Sequence, residues 1–326
     1  MRRRDFMALS GAAVLAPILP VGAQSARIYR IGILETQSAD SNAANLAALL
    51  RGLREYGYVE GRNLQIEYRS AEGQAERFPA LAEELVHLGV DLIVTRGAPA
   101  AKAAKAATTS LPLVMAAIGE PLGVGIVESL ARPGGNVTGL TALVAELSGK
   151  RIELLKEAFP FIARIGFLQN LGNPASLPQW EATQAAARAF GLSVELFDVR
   201  STDAIDAAFA SMAGRQIDAL SVGIDGLTQA NAALIVELAA QRRLPAAYPA
   251  REFVELGGLF SYGPYYPDLY LRAAGLIDKI FRGARAGDLP VKQPAKFELV
   301  INFKTLKVLN LAVTQTMLAR ADGIIE

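Results

Sequence analysis

The chain has 326 residues, with 33 Lys and Arg residues against 32 Asp and Glu residues, one His and no Cys. Its length predicts two domains, and its balanced charge gives no basic surplus of the kind that binds nucleic acid. Without Cys there is no disulfide, thiolate metal site, Cys nucleophile or lipid-modified Cys, and one His excludes a His-rich metal site. His87 falls in the last turn of a predicted helix, where it meets the helix dipole favourably. We therefore predict no catalytic residue, metal or cofactor.

Residues 1–23 have the order of a secretory signal peptide. A basic start precedes a short apolar stretch at residues 8–19, and small residues stand before Gln24. This stretch is too short to span a bilayer, and no later apolar run reaches the length of a membrane helix. Arg3 and Arg4 fit a twin-arginine export signal, and an ordinary Sec signal is the alternative. The sequence therefore predicts a periplasmic protein without a membrane anchor.

Strand and helix patterns alternate along the rest of the chain. Strands are predicted at residues 27–34, 64–69, 91–95, 113–117, 136–141, 164–169, 193–199, 219–224, 246–248 and 259–262. Helices are predicted at residues 43–56, 74–88, 98–107, 124–131, 146–158, 178–190, 204–213, 228–241, 268–282 and 303–309. This alternation predicts an α/β fold of two Rossmann-like halves, whose parallel sheets are covered on both faces.

Candidate binding residues follow the first and third strands, because ligands in open α/β sheets bind beyond the strand C-terminal ends. Thr36 and Gln37 follow the first strand. Gly97 lets the backbone approach a ligand closely, and the helix that opens at Ala98 offers free N–H groups suited to a carboxylate. Arg96 is either a bidentate clamp for such an acid or a solvated side chain.

Later strand ends carry further polar candidates. Gly119 and Glu120 follow the fourth strand and are either part of a site or a bare turn. In the second half, Asn170 and Asn173 follow one strand, and Asp225 follows another. The carboxylate of Asp225 suits a ligand ammonium, and a helix cap or Asx turn is the alternative reading.

Three aromatic residues are candidates for the walls of a cleft. Trp180 stands near a helix start, and Tyr248 and Tyr262 end predicted strands. Aromatic walls suit a planar or apolar ligand, although each residue also fits a core or rim position. Together with the helix start and Asp225, they predict a carboxylate-bearing aromatic or branched amino acid, or a related acid. Arg96 keeps an acid without the amine open, because a cation beside a helix N-terminus favours negative charge.

A nucleotide-dependent enzyme is the less favoured alternative. Residues 123–128 resemble the start of a dinucleotide-binding fingerprint, but the third Gly is missing and the segment follows a late strand. Carboxylates such as Glu35, Glu120 and Asp225 have no spacing that singles out a catalytic pair.

Several strings occur in a fixed order along the chain, including GYVEGRN at 57–63, SLARPGGNVTG at 129–139 and PAKFELVIN at 294–302. Further strings lie at 67–69, 97–101, 146–151, 251–254, 257–259, 261–263 and 318–322. This ordered set resembles the family of ABC-transporter substrate-binding proteins related to the tryptophan- and tyrosine-binding ones. The resemblance implies the type I periplasmic binding fold, in which two lobes are joined by hinge crossings. We expect residues 24–142 with about 248–290 in lobe 1, and 143–247 with about 291–326 in lobe 2.

The resemblance also implies a binding function without catalysis. It implies a monomeric receptor that captures a small molecule between its lobes and delivers it to an ABC permease in the inner membrane. A ligand-sensing subunit of a signalling system has the same fold and pocket and stays an alternative. The loops that carry ligand contacts in the family match Thr36, Ala98, Asn170, Asp225 and Tyr262.

The chain departs from the family pattern at several strand ends. Arg96 stands where the family has a small residue, Glu120 where an Asp is usual, and Gly226 where a Pro is common. A usual aromatic residue is missing at 169–171. Since ligands are held at these strand ends, the resemblance implies the fold but not the ligand.

Overall fold

The computed structural model describes residues 27–326, so the predicted signal peptide lies outside the described residues. The strands of this part are β1 (Tyr29–Glu35), β2 (Leu64–Ser70), β3 (Leu92–Arg96), β4 (Leu113–Ile118), β5 (Val137–Thr141), β6 (Arg164–Gln169), β7 (Ser193–Asp198), β8 (Ala219–Val222), β9 (Ala246–Tyr248), β10 (Phe260–Pro264), β11 (Phe297–Asn302) and β12 (Gly323–Ile325). The helices are α1 (Ala43–Glu55), α2 (Phe78–His87), α3 (Ala98–Ala107), α4 (Val144–Ala158), α5 (Ser176–Ala189), α6 (Thr202–Ala213), α7 (Gly226–Ala230), α8 (Ala232–Gln241), α9 (Arg251–Glu255), α10 (Tyr266–Phe281), α11 (Phe303–Leu309) and α12 (Gln315–Ala319).

The strands form two sheets, each at the centre of one lobe. The sheet of lobe 1 is parallel throughout, in the order β2-β1-β3-β4-β5. The sheet of lobe 2 has the order β12-β11-β10-β9-β8-β6-β7, and its β10–β11 pair is antiparallel. Strands β3 and β4 are buried along their whole length, as expected for parallel strands covered by helices on both faces. The predicted α/β fold of two Rossmann-like lobes is confirmed.

The chain passes between the lobes at three places. It leaves lobe 1 between β5 and α4, returns between β10 and α10, and leaves again between residue 292 and β11. Helix α10 packs on α1 and β4 of lobe 1. Gly52 of α1 makes that packing close, because a Cβ there would lie 2.8 Å from Ala274 Cβ. The backbone N–H of Tyr265 donates to Lys296 O at 3.0 Å and links two of the crossings.

The second crossing lies later in the chain than the expected residue 248. Strand β10 is paired with β9 on one side and β11 on the other, inside the sheet of lobe 2. Residues 248–264 therefore belong to lobe 2, and only the chain from α10 to Lys292 returns to lobe 1. The pairing of Phe260 with Ala247 and Ile301 decides this, and such long-range register is not visible in a local pattern.

Most predicted elements are present, and the differences have local causes. The helix predicted at residues 124–131 is absent; this segment turns at Gly125 (φ +73°) and still buries Val124, Ile126 and Val127. The helix predicted at 228–241 is two helices, separated at Asn231. Strands β11 and β12 and the short helices α9 and α12 were not predicted.

Two absences hold for residues 27–326. No helix in this range is both long and apolar enough to cross a membrane. The same range brings together no group of three or more His, Asp or Glu side chains that fits a metal ion.

Candidate functional site

A cleft lies between the two lobes, with about 60 Å³ of space for the centres of water-sized spheres. Strand ends and helix starts of both lobes supply most of its wall, and Tyr266 comes from the second crossing. The wall includes Thr36, Arg96, Gly97, Ala98, Pro99, Ala117 and Gly119 of lobe 1, and Asn170, Asn173, Ala175, Gln179, Ile224, Asp225, Gly226, Leu227 and Gln229 of lobe 2.

The start of α3 forms one side of the cleft. Gly97 has φ +79° and ψ +161°, a backbone conformation that favours glycine, and its N–H donates to Ala117 O at 2.9 Å. The helix then opens at Ala98 with Pro99 in its first turn, where a missing N–H costs nothing. The first turn of a helix has N–H groups without intrahelical partners and a partial positive charge, which together suit an anion.

Arg96 lies in the cleft wall, and the residue is 3% exposed. Its Nη1 donates to Gln37 Oε1 at 2.8 Å and to Asn42 Oδ1 at 3.5 Å. The guanidinium carbon lies 4.3 Å from the ring centroid of Tyr266. Nη2 makes no hydrogen bond, and its nearest carboxylate oxygen is Oε1 of Glu252 at 3.7 Å. The reading of Arg96 as a solvated side chain is therefore wrong.

A buried carboxylate lies behind Arg96. Glu35 has no exposed surface; its Oε2 accepts the backbone N–H of Thr36 at 2.8 Å, and its Oε1 accepts the Tyr270 hydroxyl. Burial by itself lowers the pKa of Arg96, but Glu35, followed by Tyr270 and other neighbours, raises it above its ordinary value. Burial also raises the pKa of Tyr270, which stays a neutral donor. Arg96 is thus a permanent cation in a fixed position.

On the opposite wall, Asp225 is held by its own lobe. It is the N-cap of α7, with Oδ1 accepting the backbone N–H of Leu227 at 2.8 Å, in a capping box with Thr228. Oδ1 also accepts Asn170 Nδ2 at 3.1 Å, and Oδ2 accepts Asn173 Nδ2 at 2.7 Å. The cap that the sequence offered as an alternative is present, and the residue also lines the cleft.

A second buried guanidinium lies near the cleft in lobe 2. Arg151 is 1% exposed; Nη2 donates to Ser148 Oγ at 2.8 Å and Nη1 to Tyr262 O at 3.2 Å, while Nε has no partner. None of the ion pairs among residues 27–326 includes Arg151. Burial lowers its pKa to about 10, and Tyr266 raises it slightly. It adds positive charge near the cleft that no acidic side chain pairs.

The structure brings together eight of the predicted binding residues and places five elsewhere. The eight that line the cleft are Thr36, Arg96, Gly97, Ala98, Gly119, Asn170, Asn173 and Asp225. Gln37 contacts Arg96 but does not line the cleft, and Glu120 lies in the turn after Gly119 with φ +50°.

The three aromatic candidates do not form the cleft wall. Trp180 stacks on Phe167 at 5.9 Å between ring centroids, and Tyr248 stacks on Phe253 at 5.2 Å in the core. Tyr262 packs against the apolar core of lobe 2. Each takes the core or rim position that the sequence left open; for the two strand residues, Tyr248 and Tyr262, period-two alternation does not say which face of a strand meets the cleft.

Sequence reasoning missed several apolar and amide residues of the cleft, above all Tyr266, Phe78, Gln179 and Leu227. Tyr266 precedes a Pro at the start of a helix, which is a detectable helix start, but its position at a crossing depends on the assembled lobes. Gln179 is buried; its Oε1 accepts Ile224 N at 3.0 Å and its Nε2 donates to Ile224 O at 3.0 Å.

Comparisons with known proteins point to one family. The family described as ABC transporter substrate binding protein matches residues 30–325. A tyrosine-binding protein of Clostridioides difficile (strain R20291) is 28% identical over 281 residues, which are 86% of this chain and 81% of that protein. Less similar solved structures include a periplasmic binding ribose operon repressor protein from Lactobacillus acidophilus, at 15% identity and a TM-score of 0.58, which supports the type I periplasmic binding fold.

Two related solved structures differ in how well they superpose. One, from Streptococcus pneumonia, is an ABC domain in complex with L-Trp; it is 31% identical, with 91% of this chain and all of that chain covered and a TM-score of 0.85. The other is the ligand-free, open structure of a substrate binding protein with adhesive properties from Clostridium difficile. It is 25% identical, with 91% and 99% covered and a TM-score of 0.66.

Proposed function

The chain belongs to the family of ABC transporter substrate-binding proteins, and on this premise we propose that it is the periplasmic receptor of an ABC importer. It captures a small carboxylate-bearing molecule, an aromatic or branched amino acid or a related acid, between its lobes. The family is one of substrate-binding proteins, so the proposal is binding of a solute without turnover.

The observation that supports the ligand class best is the composition of the cleft wall. Free N–H groups at the start of α3 and the guanidinium of Arg96 suit a carboxylate, and Asp225 faces them from the other lobe. Phe78, Val144 and Leu227 add apolar surface for the body of the ligand. The L-Trp and tyrosine ligands named for two relatives belong to the same chemical class.

Capture by closure of the lobes is the second part of the proposal. The chain superposes better on the relative that holds L-Trp than on the open, ligand-free one, with TM-scores of 0.85 and 0.66. The lobes approach closely at the cleft mouth, where a Cβ on Gly73 of lobe 1 would lie 2.6 Å from Ala230 Cβ of lobe 2. Closed lobes bind the ligand with contacts that neither lobe offers alone, and this difference in affinity drives closure.

Native mass spectrometry of freshly purified protein tests the ligand class first. A bound small acid or amino acid is expected, and titration calorimetry of the identified compound should then give one site per chain. Small-angle scattering should show a smaller radius of gyration with ligand. Binding of sugars but no acids, an unchanged radius at saturation, or accumulation of a product would each contradict the proposal.

Export is tested at the N-terminus. We propose that residues 1–23 are removed after twin-arginine export, so sequencing of periplasmic protein should find Gln24 or a neighbour first. Replacing Arg3 and Arg4 with Lys should abolish export if the twin-arginine route is used. Unchanged export of the double variant would leave the Sec route.

The partner distinguishes transport from sensing. We propose an ABC permease of the inner membrane as the partner of a monomeric receptor. Cross-linking of the ligand-loaded protein in membranes, followed by identification of the captured subunit, should yield a permease. Capture of a signalling receptor instead would favour the ligand-sensing alternative.

A further inference from the structure

We propose that Leu143, in the first crossing between the lobes, is the residue that turns when the cleft closes, and that its left-handed backbone makes the closed state costly. The inference rests on the closure of the lobes stated in the proposed function. It goes beyond that function because it names the residue that sets how often the ligand-free receptor is closed.

Leu143 has a backbone conformation that residues other than Gly rarely adopt. Its φ is +49° and its ψ is +41°, in the left-handed helical region. This region is unfavourable for an L-residue because Cβ comes close to the following carbonyl oxygen, and only Gly, Asn and Asp visit it readily. Of the six non-Gly residues with positive φ between residues 27 and 326, Leu143 alone lies in a crossing.

Backbone hydrogen bonds fix the chain on both sides of Leu143. On the side of lobe 1, the N–H of Ala142 donates to Ile118 O, at the end of β4, at 2.8 Å. On the side of lobe 2, the carbonyl oxygen of Leu143 accepts the N–H of Leu147 at 3.2 Å, in the first turn of α4. A change in the angle between lobe 1 and α4 therefore falls on the φ and ψ of Leu143, at the kind of element end that absorbs hinge motion.

The side chain of Leu143 does not account for its conformation. The residue is half-buried, and it is the N-cap of α4 without a capping hydrogen bond from its side chain. An N-cap residue ordinarily has an extended backbone. A strained backbone persists only where the surrounding structure holds it, so the cause lies in the contacts of the neighbouring residues.

Contacts between the closed lobes hold the start of α4 in place. Val144, the first residue of α4, lies so close to Gly119 of lobe 1 that a Cβ on Gly119 would be 2.5 Å from Val144 Cγ2. Ala175 of lobe 2 lies against the same glycine, with its Cβ 3.5 Å from that position. All three residues line the cleft, so opening the cleft moves Ala175 away from Gly119 and releases the start of α4. Leu143 then returns to an ordinary negative φ, and its strain belongs to the closed state.

This strain acts on affinity through the population of the closed state. The apparent affinity of a ligand falls in proportion to the fraction of molecules that is competent to bind it. A residue that adopts the left-handed region without strain at position 143 makes closure less costly. Such a variant should bind the same ligand more tightly although no contact with the ligand is added.

The test is titration calorimetry on Leu143→Gly and Leu143→Asn, with protein freed of bound ligand by partial unfolding and refolding. The compounds are L-tryptophan, L-tyrosine, L-leucine and 3-phenylpropionate. Each compound that binds the unaltered protein should bind both variants about fivefold more tightly. Leu143→Ala keeps the Cβ and the strain, so its affinity should stay within about twofold of that of the unaltered protein.

Arg243→Gly is the matched control. Arg243 is exposed, has φ +54° against +49° for Leu143, and lies in the turn after α8, away from the crossings. The substitution relieves the same kind of backbone strain, but it does so in the open and the closed state alike. Its ligand affinity should therefore equal that of the unaltered protein.

A second measurement needs no ligand. The chain has no Cys, so Glu76→Cys in lobe 1 and Asp203→Cys in lobe 2 attach a pair of dyes at two exposed positions. Single-molecule energy transfer between the dyes then counts the closed molecules. Leu143→Gly should raise the closed fraction of the ligand-free protein about fivefold, and Arg243→Gly should leave it unchanged.

The outcomes separate this inference from the proposed function. Equal affinities and equal closed fractions in Leu143→Gly and Arg243→Gly overturn the inference, because the left-handed backbone is then kept in both states; the proposed receptor stands. A gain in affinity in Leu143→Ala as large as that in Leu143→Gly also overturns it, since the side chain is then the cause. If none of the four compounds binds, the proposed ligand class fails, and the closed fraction without ligand decides the role of Leu143.

Discussion

Arg96 and Asp225 occupy corresponding places in the two lobes, each between the end of a strand and the start of the next helix, yet their surroundings are opposite: Arg96 is the last residue of β3, and Asp225 is the N-cap of α7 after β8. Arg96 is held on one side by Gln37, and its buried Nη2 has no hydrogen-bond partner, with Glu252 Oε1 3.7 Å away. Asp225 has both oxygens occupied by Asn170, Asn173 and the start of α7. A charged residue at a strand end therefore does not by itself indicate a ligand contact, because its own lobe can already satisfy it.

This difference predicts that Asp225 acts mainly on stability. Asp225→Ala removes a helix cap and leaves the buried amide of Asn173 and the half-buried amide of Asn170 without their acceptor, so we expect a loss of about 2–4 kcal/mol in the free energy of unfolding, measured by urea denaturation. Ser201→Ala is the control, because Ser201 caps α6 through one bond at 3.3 Å and no buried amide depends on it. That variant should lose about 1 kcal/mol. Equal losses of unfolding free energy in Asp225→Ala and Ser201→Ala would contradict a stabilising role of Asp225 beyond that of an ordinary helix cap.

Asp225→Ala also tests whether Asp225 binds the ammonium group of an amino-acid ligand. If a zwitterionic amino acid binds through Asp225, the same substitution weakens it by about tenfold or more, and an acid without the amine loses less. Calorimetry with L-phenylalanine and 3-phenylpropionate on the variant measures both. An unchanged affinity for the amino acid would show that Asp225 is only a cap.

Arg96 is expected to show the reverse pattern, with ligand affinity changing more than stability. Arg96→Lys keeps the cation but loses the planar fork and the contact with the Tyr266 ring. We expect about tenfold weaker binding of 3-phenylpropionate and a stability loss of about 1 kcal/mol. Calorimetry and urea denaturation on the same sample measure the two. A stability loss larger than that of Asp225→Ala would remove the distinction between the two residues.

A substitution at Gly73 tests whether the residues of the cleft wall bind the ligand only when the lobes are closed. Gly73→Ala forces a Cβ to within 2.6 Å of Ala230 Cβ in the other lobe, so binding should weaken by about fivefold and the scattering radius should shrink less with ligand. Gly61→Ala is a matched control, since Gly61 has φ +77° against +79° for Gly73 and nothing within 4 Å of its Cβ position. Ala at a positive φ costs each variant about 1 kcal/mol of backbone strain, so this cost is the same in both. Similar ligand affinities of Gly73→Ala and Gly61→Ala would therefore contradict a role of Gly73 in closure.

Glu252 should have the smallest effect. Glu252→Gln removes the carboxylate 3.7 Å from Arg96 Nη2 and leaves an amide. Because the side chain is partly exposed, stability should change by less than about 0.5 kcal/mol. Affinity for 3-phenylpropionate should rise about two- to threefold, since a competing negative charge is gone. A weaker affinity would show that Glu252 positions Arg96 for the ligand.

The helix predictions show how far local patterns reach. The predicted bounds of α3, residues 98–107, agree with the structure because Gly97, Pro99 and a run of Ala are strong local signals. The apolar segment at 124–131 has helical spacing but turns at Gly125 and packs irregularly on lobe 1. In this segment, local spacing correctly predicted which residues are buried, but it did not predict the conformation of the backbone that carries them.

By itself, the sequence determined the α/β class, the family and the strand ends that meet in the cleft, because hydrophobic periodicity and turn residues are local properties of the chain. Only the tertiary structure decided that Tyr266 joins the cleft wall, that Trp180 and Tyr248 pack elsewhere, and that β10 belongs to lobe 2. It also decided that Arg96 has a free donor while Asp225 is satisfied. These outcomes depend on contacts between residues far apart in the chain, which no local pattern encodes.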